Sequence, residues 1–161
     1  MRNDRGMSLV ELMVVLAIIA VVCGMALPSL IGMRGKRQLE AAVNDVQTAI
    51  NLAKSTAIKY SSPTAILFKV PANGITVFTD SNGNGTREAG ERLVRTIYFP
   101  QSVSLHTLPD VQSLNFDTRG FISSVGTPGL SSITITLERT QDARTPRIDV
   151  TATGSSRISW N

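Results

Sequence analysis

Residues 12–33 read LMVVLAIIAVVCGMALPSLIGM and contain no charged side chain. A helix of about 20 apolar residues spans the hydrocarbon core of a bilayer, so this stretch is long enough to cross one. Both of its flanks are basic, and the charge difference between them predicts the orientation only weakly. The flanking basic residues are Arg2, Arg5, Arg34, Lys36 and Arg37.

Two other kinds of N-terminal segment compete with a specialised membrane helix. A cleaved signal peptide has an apolar region of about 7–15 residues and a cut site of small residues. The run here is longer, although ALPSL at residues 26–30 could mimic such a cut site. An ordinary membrane anchor does not explain Glu11, because a carboxylate in an apolar membrane segment costs free energy and usually has a function. Both alternatives stay open at this point.

Residues 5–28, RGMSLVELMVVLAIIAVVCGMALP, resemble the N-terminus of type IV pilins and type II secretion pseudopilins. In that family a short basic leader ends in glycine. Prepilin peptidase cuts after this glycine at the cytoplasmic face and methylates the new amino terminus. The resemblance implies that residues 1–6 are the leader, that the cut falls between Gly6 and Met7, and that Met7 is N-methylated.

The same resemblance assigns roles in assembly to Glu11 and Pro28. The amine that the cut exposes would lie in apolar surroundings, where an unpaired charge is costly. Glu11 can supply the opposite charge, and the resemblance implies that it meets the amine of a neighbouring subunit in a filament. Pro28 lacks an amide hydrogen, so it removes one helical hydrogen bond and would bend the helix.

The apolar pattern changes after Gly35 to that of an amphipathic helix. Apolar side chains recur at steps of three and four residues, which places them on one helix face suited to packing on a sheet. We therefore expect one helix from about Met7 to Tyr60, with a transmembrane half at residues 7–33 and an amphipathic stalk at residues 34–60. The stripe consists of Leu39, Val43, Val46, Ile50, Ala53 and Ala57.

Beyond Ser61 the sequence predicts short strands separated by turn residues. Residues 61–161 therefore form a predicted antiparallel β domain, and the fold class is α+β. The resemblance implies a pilin-like fold, in which the long N-terminal helix packs on this domain. The predicted strands are TAILFKV, GITVFTD, RLVRTIYF, SLNFD, ITITLE and RIDVTA.

The loop DSNGNGTREAGE at residues 80–91 has the residue spacing of a calcium-binding loop. Strands flank it instead of the helices of an EF-hand, and its two Asn-Gly pairs also suit an ordinary polar turn. A calcium site and a polar turn both stay open. Together with the preceding strand end, the loop resembles the GspH/FimT branch of pseudopilins and minor pilins. The candidate ligands are Asp80, Asn82, Asn84, Thr86, Glu88 and Glu91.

Nucleic-acid binding is a second possibility because the isoelectric point is about 9.7. Some FimT-like minor pilins bind DNA through a C-terminal Gly-Arg-x-Arg motif. Here only Gly154 and Arg157 correspond to that motif, and two serines separate them. Arg157 could form a basic cluster with Arg139, Arg144 and Arg147. The β domain has equal numbers of acidic and basic residues from residue 70 onward, so its overall charge does not favour DNA.

The sequence does not support an enzyme. With one cysteine and one histidine, the chain cannot form an internal disulfide or a multi-histidine metal site. His106 lies in SVSLHTL and is predicted to be a strand residue. No residue is assigned as catalytic, and no cofactor is required.

These observations and the resemblance predict a minor pseudopilin or minor pilin of the GspH/FimT family. Its expected partners are other pilins through the N-terminal helix, prepilin peptidase, and an inner-membrane assembly platform. The expected location is the bacterial inner membrane, crossed once, with the C-terminal domain in the periplasm before entry into a pilus or pseudopilus. The alternative function is that of a FimT-like DNA-binding minor pilin.

Overall fold

The computed structural model describes residues 8–70, 73–108, 111–123, 132–139 and 144–160. These residues form one α-helix, α1 (Leu9–Tyr60), and nine β-strands. The strands are β1 (Thr64–Val70), β2 (Gly74–Thr79), β3 (Leu93–Tyr98), β4 (Val103–Leu108), β5 (Ser113–Phe116), β6 (Ile122–Ser123), β7 (Ser132–Arg139), β8 (Pro146–Thr151) and β9 (Ser156–Trp160).

The chain divides into two compact units, Met1–Arg37 and Gln38–Asn161. In the first unit, the described side chains at residues 8–25 are all exposed, including those of large apolar residues such as Leu9 and Met25. Among the described residues, no helix combines the length and the apolarity that crossing a bilayer requires. The predicted transmembrane half of the helix, residues 7–33, begins at Met7, which lies outside the described residues.

In the second unit, α1 buries the apolar stripe that the sequence spacing predicts. Every member of that stripe is at most 1% exposed. These side chains share one hydrophobic core with residues of both sheets, among them Ile66 and Ile135. Burying a valine, leucine or isoleucine side chain contributes about 1.5–3 kcal/mol, so the four larger members of the stripe are a major part of the packing energy.

The strands form two antiparallel sheets. Sheet A has the order β3-β2-β1-β5-β6, and sheet B has the order β4-β7-β8-β9. Neighbouring strands in both sheets pair antiparallel. The predicted α+β class, with a long helix and an antiparallel β domain, is therefore confirmed.

The expected strand around His106 is observed as β4. Two observed strands lie outside the predicted segments, namely β6 and β9. Each of them is the edge strand of a sheet. An edge strand has a hydrogen-bonded neighbour on one side only, and its sequence is less constrained by burial. In β9, no residue is fully buried, so its apolar signal is weak.

Two side chains of α1 hold the turn between β8 and β9. The Lys54 amine donates a 2.8 Å hydrogen bond to the Thr153 carbonyl, and the Gln47 amide donates a 2.9 Å bond to the Ser156 hydroxyl. The Ile122 N–H on sheet A donates to the Ala152 carbonyl in the same turn. The helix and both sheets therefore meet at this turn.

Gly154 is buried at the centre of this contact. Its φ angle is +70°, and a Cβ atom at this position would lie 2.6 Å from the Gly120 carbonyl oxygen. The position excludes other residues because the backbone is left-handed and the neighbouring backbone cannot move aside easily. The structure thus gives Gly154 a role in packing.

We predict that Gly154→Ala lowers the free energy of unfolding of the full-length protein by about 1–3 kcal/mol, because it adds both backbone strain and a steric clash. Denaturant unfolding followed by circular dichroism measures this loss. Gly90→Ala is the matched control, since a Cβ at Gly90 meets nothing within 4 Å. Equal stability of the two variants would contradict this role for Gly154.

Candidate functional site

The predicted processing and assembly residues lie at the N-terminus. Gly6 and Met7 are outside the described residues. Glu11 lies in the first turn of α1, where a negative charge interacts favourably with the helix dipole. The helical backbone continues through Pro28, whose side chain is not among the described ones. The predicted bend at Pro28 stays a prediction.

Glu11 is a single exposed acid within an exposed apolar surface. Its neighbours Val10, Leu12 and Val14 are each more than half exposed. Within the described part of the chain, its carboxylate forms no ion pair. When this helix packs among other apolar helices, the Glu11 carboxylate needs a partner, because burying an unpaired charge costs free energy.

The loop at residues 80–91 is built around the buried carboxylate of Asp80. One of its oxygens, Oδ2, accepts hydrogen bonds from the Gly85 N–H at 2.8 Å and from the Asn115 amide at 2.7 Å. The other oxygen, Oδ1, accepts a 3.1 Å bond from the Asn84 N–H. Asp80 thereby ties the loop to β5 of sheet A.

A second carboxylate, that of Glu91, joins the end of the loop to its beginning through hydrogen bonds. It accepts a 3.0 Å hydrogen bond from the Ser81 N–H through one oxygen and a 2.9 Å bond from the Glu88 N–H through the other. The candidate ligand Asn84 also accepts hydrogen bonds. Its side-chain oxygen, Oδ1, accepts one from the backbone N–H of Thr86 and one from the Thr86 hydroxyl. The loop is a turn held by its own side chains.

The loop is attached to the face of sheet A that points away from the main core. Asn115, Ala65 and Phe78 are partners across β5, β1 and β2. All three are almost completely buried, although they lie outside the main hydrophobic core. The bond from Asn115 to Asp80 places the loop over this row. Sequence reasoning missed Asn115, because it is 35 positions from Asp80 and no local pattern marks it.

The loop geometry favours the polar turn, and calcium binding stays a prediction. The oxygens of Asp80 and Glu91 already accept hydrogen bonds, and no group of three or more His, Cys, Asp or Glu among the described residues is placed to hold a metal. The buried Asn115 Oδ1 has no hydrogen-bond partner in the described part of the chain. Melting temperatures in millimolar calcium and in a chelator test the calcium interpretation.

Three of the four arginines considered for a basic cluster, Arg139, Arg147 and Arg157, lie on two different faces of sheet B, and Arg144 precedes β8. Arg147 and Arg157 lie on the outward face, where Arg157 is the cross-strand partner of Asp149. Arg139 continues the core-facing series of β7 that includes Leu137, by strand alternation. Gly154 is buried. DNA binding through Gly154 and Arg157 stays a prediction.

His106 is an exposed residue of β4, opposite Thr136 on β7. This position agrees with the prediction that it is a strand residue.

Comparison with known proteins links this fold to a family. The chain matches the family model described as Type II transport protein GspH over residues 42–154. It also matches the prokaryotic N-terminal methylation motif over residues 1–27. It is 28% identical over 165 residues to the pilin-like protein PilA1 of Thermus thermophilus, covering 96% of this chain and 97% of that protein.

Two solved structures share the fold. The type IV minor pilin FimU of Pseudomonas aeruginosa superposes with a TM-score of 0.60 and 13% identity, covering 77% of this chain and 90% of that chain. The minor pseudopilin EpsH from the Type 2 Secretion System of Vibrio cholerae superposes with a TM-score of 0.55 and 12% identity, covering 76% and 96%. At these identities, the similarity shows the fold alone.

A long N-terminal helix followed by antiparallel sheets is the pilin-like fold, and the chain is a minor pilin or pseudopilin. Since the family match covers more than half of the chain, the chain belongs to the GspH family. It is a structural subunit that assembles with other pilins, and it is not an enzyme. The methylation motif and the family together indicate a membrane-anchored subunit of a pilus or pseudopilus.

We predict that Asp80→Asn lowers the free energy of unfolding by about 2–3 kcal/mol. The new amide cannot accept all three hydrogen bonds, and an N–H group of the loop or of Asn115 is left buried without a partner. Chemical unfolding of the full-length protein measures the loss. Glu88→Gln is the control, because an amide oxygen can still accept the exposed 2.8 Å bond from Asn84. An unchanged stability of Asp80→Asn would contradict the role of this carboxylate.

Proposed function

We propose that this chain is the precursor of a filament subunit that prepilin peptidase cuts between Gly6 and Met7 and methylates at Met7. The observation that carries the proposal is the exposed Glu11 in the first turn of an exposed apolar helix, within the matched methylation motif. A cut at this place leaves the new amine four residues before the carboxylate. The two charges needed for an ion pair then lie at the same end of the helix.

The mature helix then joins a filament through apolar contacts with homologous helices. Side chains on every face of its N-terminal part are exposed, from Leu9 to Met25. A helix that is apolar all round is stable when lipid or other helices surround it. In the filament core, Glu11 of one subunit pairs with the Met7 amine of a neighbour. This pair sets the axial register, since a buried charge without its partner costs several kcal/mol.

Before assembly, the precursor crosses the bacterial inner membrane once. The leader at residues 1–6 lies in the cytoplasm, where the peptidase acts, and the β domain lies in the periplasm. An inner-membrane assembly platform then extracts the subunit into the filament. Pro28 bends the helix and adjusts its packing against neighbouring helices.

The filament is a type II secretion pseudopilus or a type IV pilus, and the subunit acts in its assembly and in protein secretion. The family description refers to type II transport, whereas the similar structures include a type IV minor pilin and a type II secretion pseudopilin. Deletion of the gene separates the two systems. Loss of secreted proteins from the medium supports secretion, and loss of surface pili supports the pilus.

We predict that the mature protein purified from its native membranes begins at an N-methylated Met7. Intact-protein and N-terminal peptide mass spectrometry measure both the loss of residues 1–6 and the added methyl group. Gly6→Val is expected to leave the precursor uncut, because a branched side chain obstructs close approach of the peptidase to the backbone. Detection of residues 1–6 on the protein in cells with an active peptidase would refute the proposal.

We predict that Glu11→Ala leaves membrane insertion unchanged but reduces incorporation into filaments by more than about tenfold, because the amine of a neighbour loses its partner. Quantitative immunoblots of membrane and sheared filament fractions measure the ratio. Val10→Ala is the control, since it alters an exposed apolar neighbour without removing the charge. Wild-type incorporation of Glu11→Ala would contradict the proposed pairing.

A further inference from the structure

Strand β3 forms one edge of sheet A, next to β2. The Phe99 N–H, just after β3, donates a 2.8 Å hydrogen bond to the Asn73 carbonyl on the β2 side. Because backbone direction alternates along a strand, the backbone groups of Thr96 and Tyr98 point away from β2. No strand among the described residues pairs with this side of β3, so these groups can pair with another extended chain.

A groove of about 250 Å³ lies beside this edge, between β3 and the C-terminal end of α1. Leu52 and Val94 give it an apolar wall, and Lys59, Tyr60 and Arg92 lie at its polar end. The groove therefore offers both apolar surface and positive charge at the N-terminal end of the β3 edge, beside Val94.

The two cations of the groove are held around one aromatic ring. The Lys59 amine is 5.3 Å and the Arg92 guanidinium carbon 5.2 Å from the centre of the Tyr60 ring. A hydrogen bond from Arg92, followed by the positive charges of Lys59 and Arg92, lowers the pKa of the Tyr60 hydroxyl. The backbone of Arg92 is fixed to β2, where its N–H and its carbonyl both bond to Thr79.

No carboxylate of the described residues neutralises these cations. Neither Lys59 nor Arg92 forms an ion pair within the described part of the chain. The adjacent acid, Glu91, uses both of its oxygens for backbone N–H groups inside the loop. The groove thus carries an uncompensated positive charge that an incoming anion can pair with.

The edge of β3 disfavours a second copy of this chain as its partner. A strand added from a second copy would have to supply a carboxylate for Lys59 and Arg92, and β3 itself, LVRTIY, contains no acidic residue. The other described edge strands, β4, β6 and β9, contain no acidic residue. The complementary occupant is therefore an acidic segment of a different protein.

We propose that an extended segment of another protein adds to sheet A along β3 and places a carboxylate between Lys59 and Arg92. Backbone hydrogen bonds to the strand edge supply affinity for any extended peptide, as in other cases of strand addition. The carboxylate adds charge-assisted hydrogen bonds from the two cations, and these select an acidic residue. The inference does not depend on the cut at Gly6 or on filament assembly.

The test uses full-length protein in detergent micelles and two peptides with a neutral dye. Their sequences are Thr-Val-Thr-Val-Glu-Val-Thr-Val-Thr and the same peptide with Gln for Glu, both acetylated and amidated. Fluorescence anisotropy measures the dissociation constants. The Glu peptide is expected to bind at least about tenfold more tightly than the Gln peptide, and added salt is expected to reduce the difference.

Variants of the protein separate the two parts of the site. The double variant Lys59→Gln/Arg92→Gln is expected to remove the preference for Glu. Arg147→Gln, which alters an exposed arginine of sheet B outside the groove, is expected to leave it unchanged. Thr96→Pro removes an outward N–H from the strand edge and is expected to weaken binding of both peptides. If Thr96→Pro unfolds the protein, the double variant decides by itself.

Equal affinity of the two peptides, or no binding of either at millimolar concentration, would overturn the proposal. So would a preference for Glu that survives in the double variant. A double-stranded DNA oligonucleotide is included as a competitor. Binding of DNA through Lys59 and Arg92 without binding of the Glu peptide would assign the groove to nucleic acid and refute the peptide site.

Discussion

The structure of the β domain depends on the burial of one face of α1 against both sheets. Val46, Ile50 and Ala53 are completely buried in a core that also contains Ile66 of sheet A and Ile135 of sheet B. Each sheet has its own strand order, and no described strand of one sheet pairs with a strand of the other. The helix gives both sheets a common apolar surface, so its stripe determines where each of them can lie.

Polar contacts fix the details that the apolar core leaves undefined. Lys54 and Gln47 of the helix reach the β8–β9 turn, and Gly154 permits the close approach of backbone there. On the opposite face of sheet A, Asp80 attaches the 80–91 loop to Asn115. Hydrogen bonds are directional and apolar contacts are not, so these few groups define the positions of the turns.

The 80–91 loop shows why a motif can indicate two different kinds of site. Carboxylate oxygens at this spacing bind a cation in some loops, but the same oxygens are also good acceptors for backbone N–H groups. In this protein Asp80 and Glu91 accept such bonds from Gly85 and Ser81, and Asp80 also accepts one from the buried Asn115. The same sequence pattern fits cation binding and a hydrogen-bonded turn, because it specifies which residues carry the oxygens but not the direction in which those oxygens point.

The amino-acid sequence alone predicted the long helix, its buried stripe, the α+β class and the N-terminal motif with Glu11. These features follow from local periodicity and from spacing within a short segment, which the chain order fixes directly. Tertiary contacts were needed to define the edge strands β6 and β9, the Asp80–Asn115 bond, and the separation of Arg139 from Arg157. They also brought Arg92 to Tyr60. These pairings join residues that are far apart in the chain. Strand register and sheet order determine which of these residues meet, and the local sequence does not specify either of them.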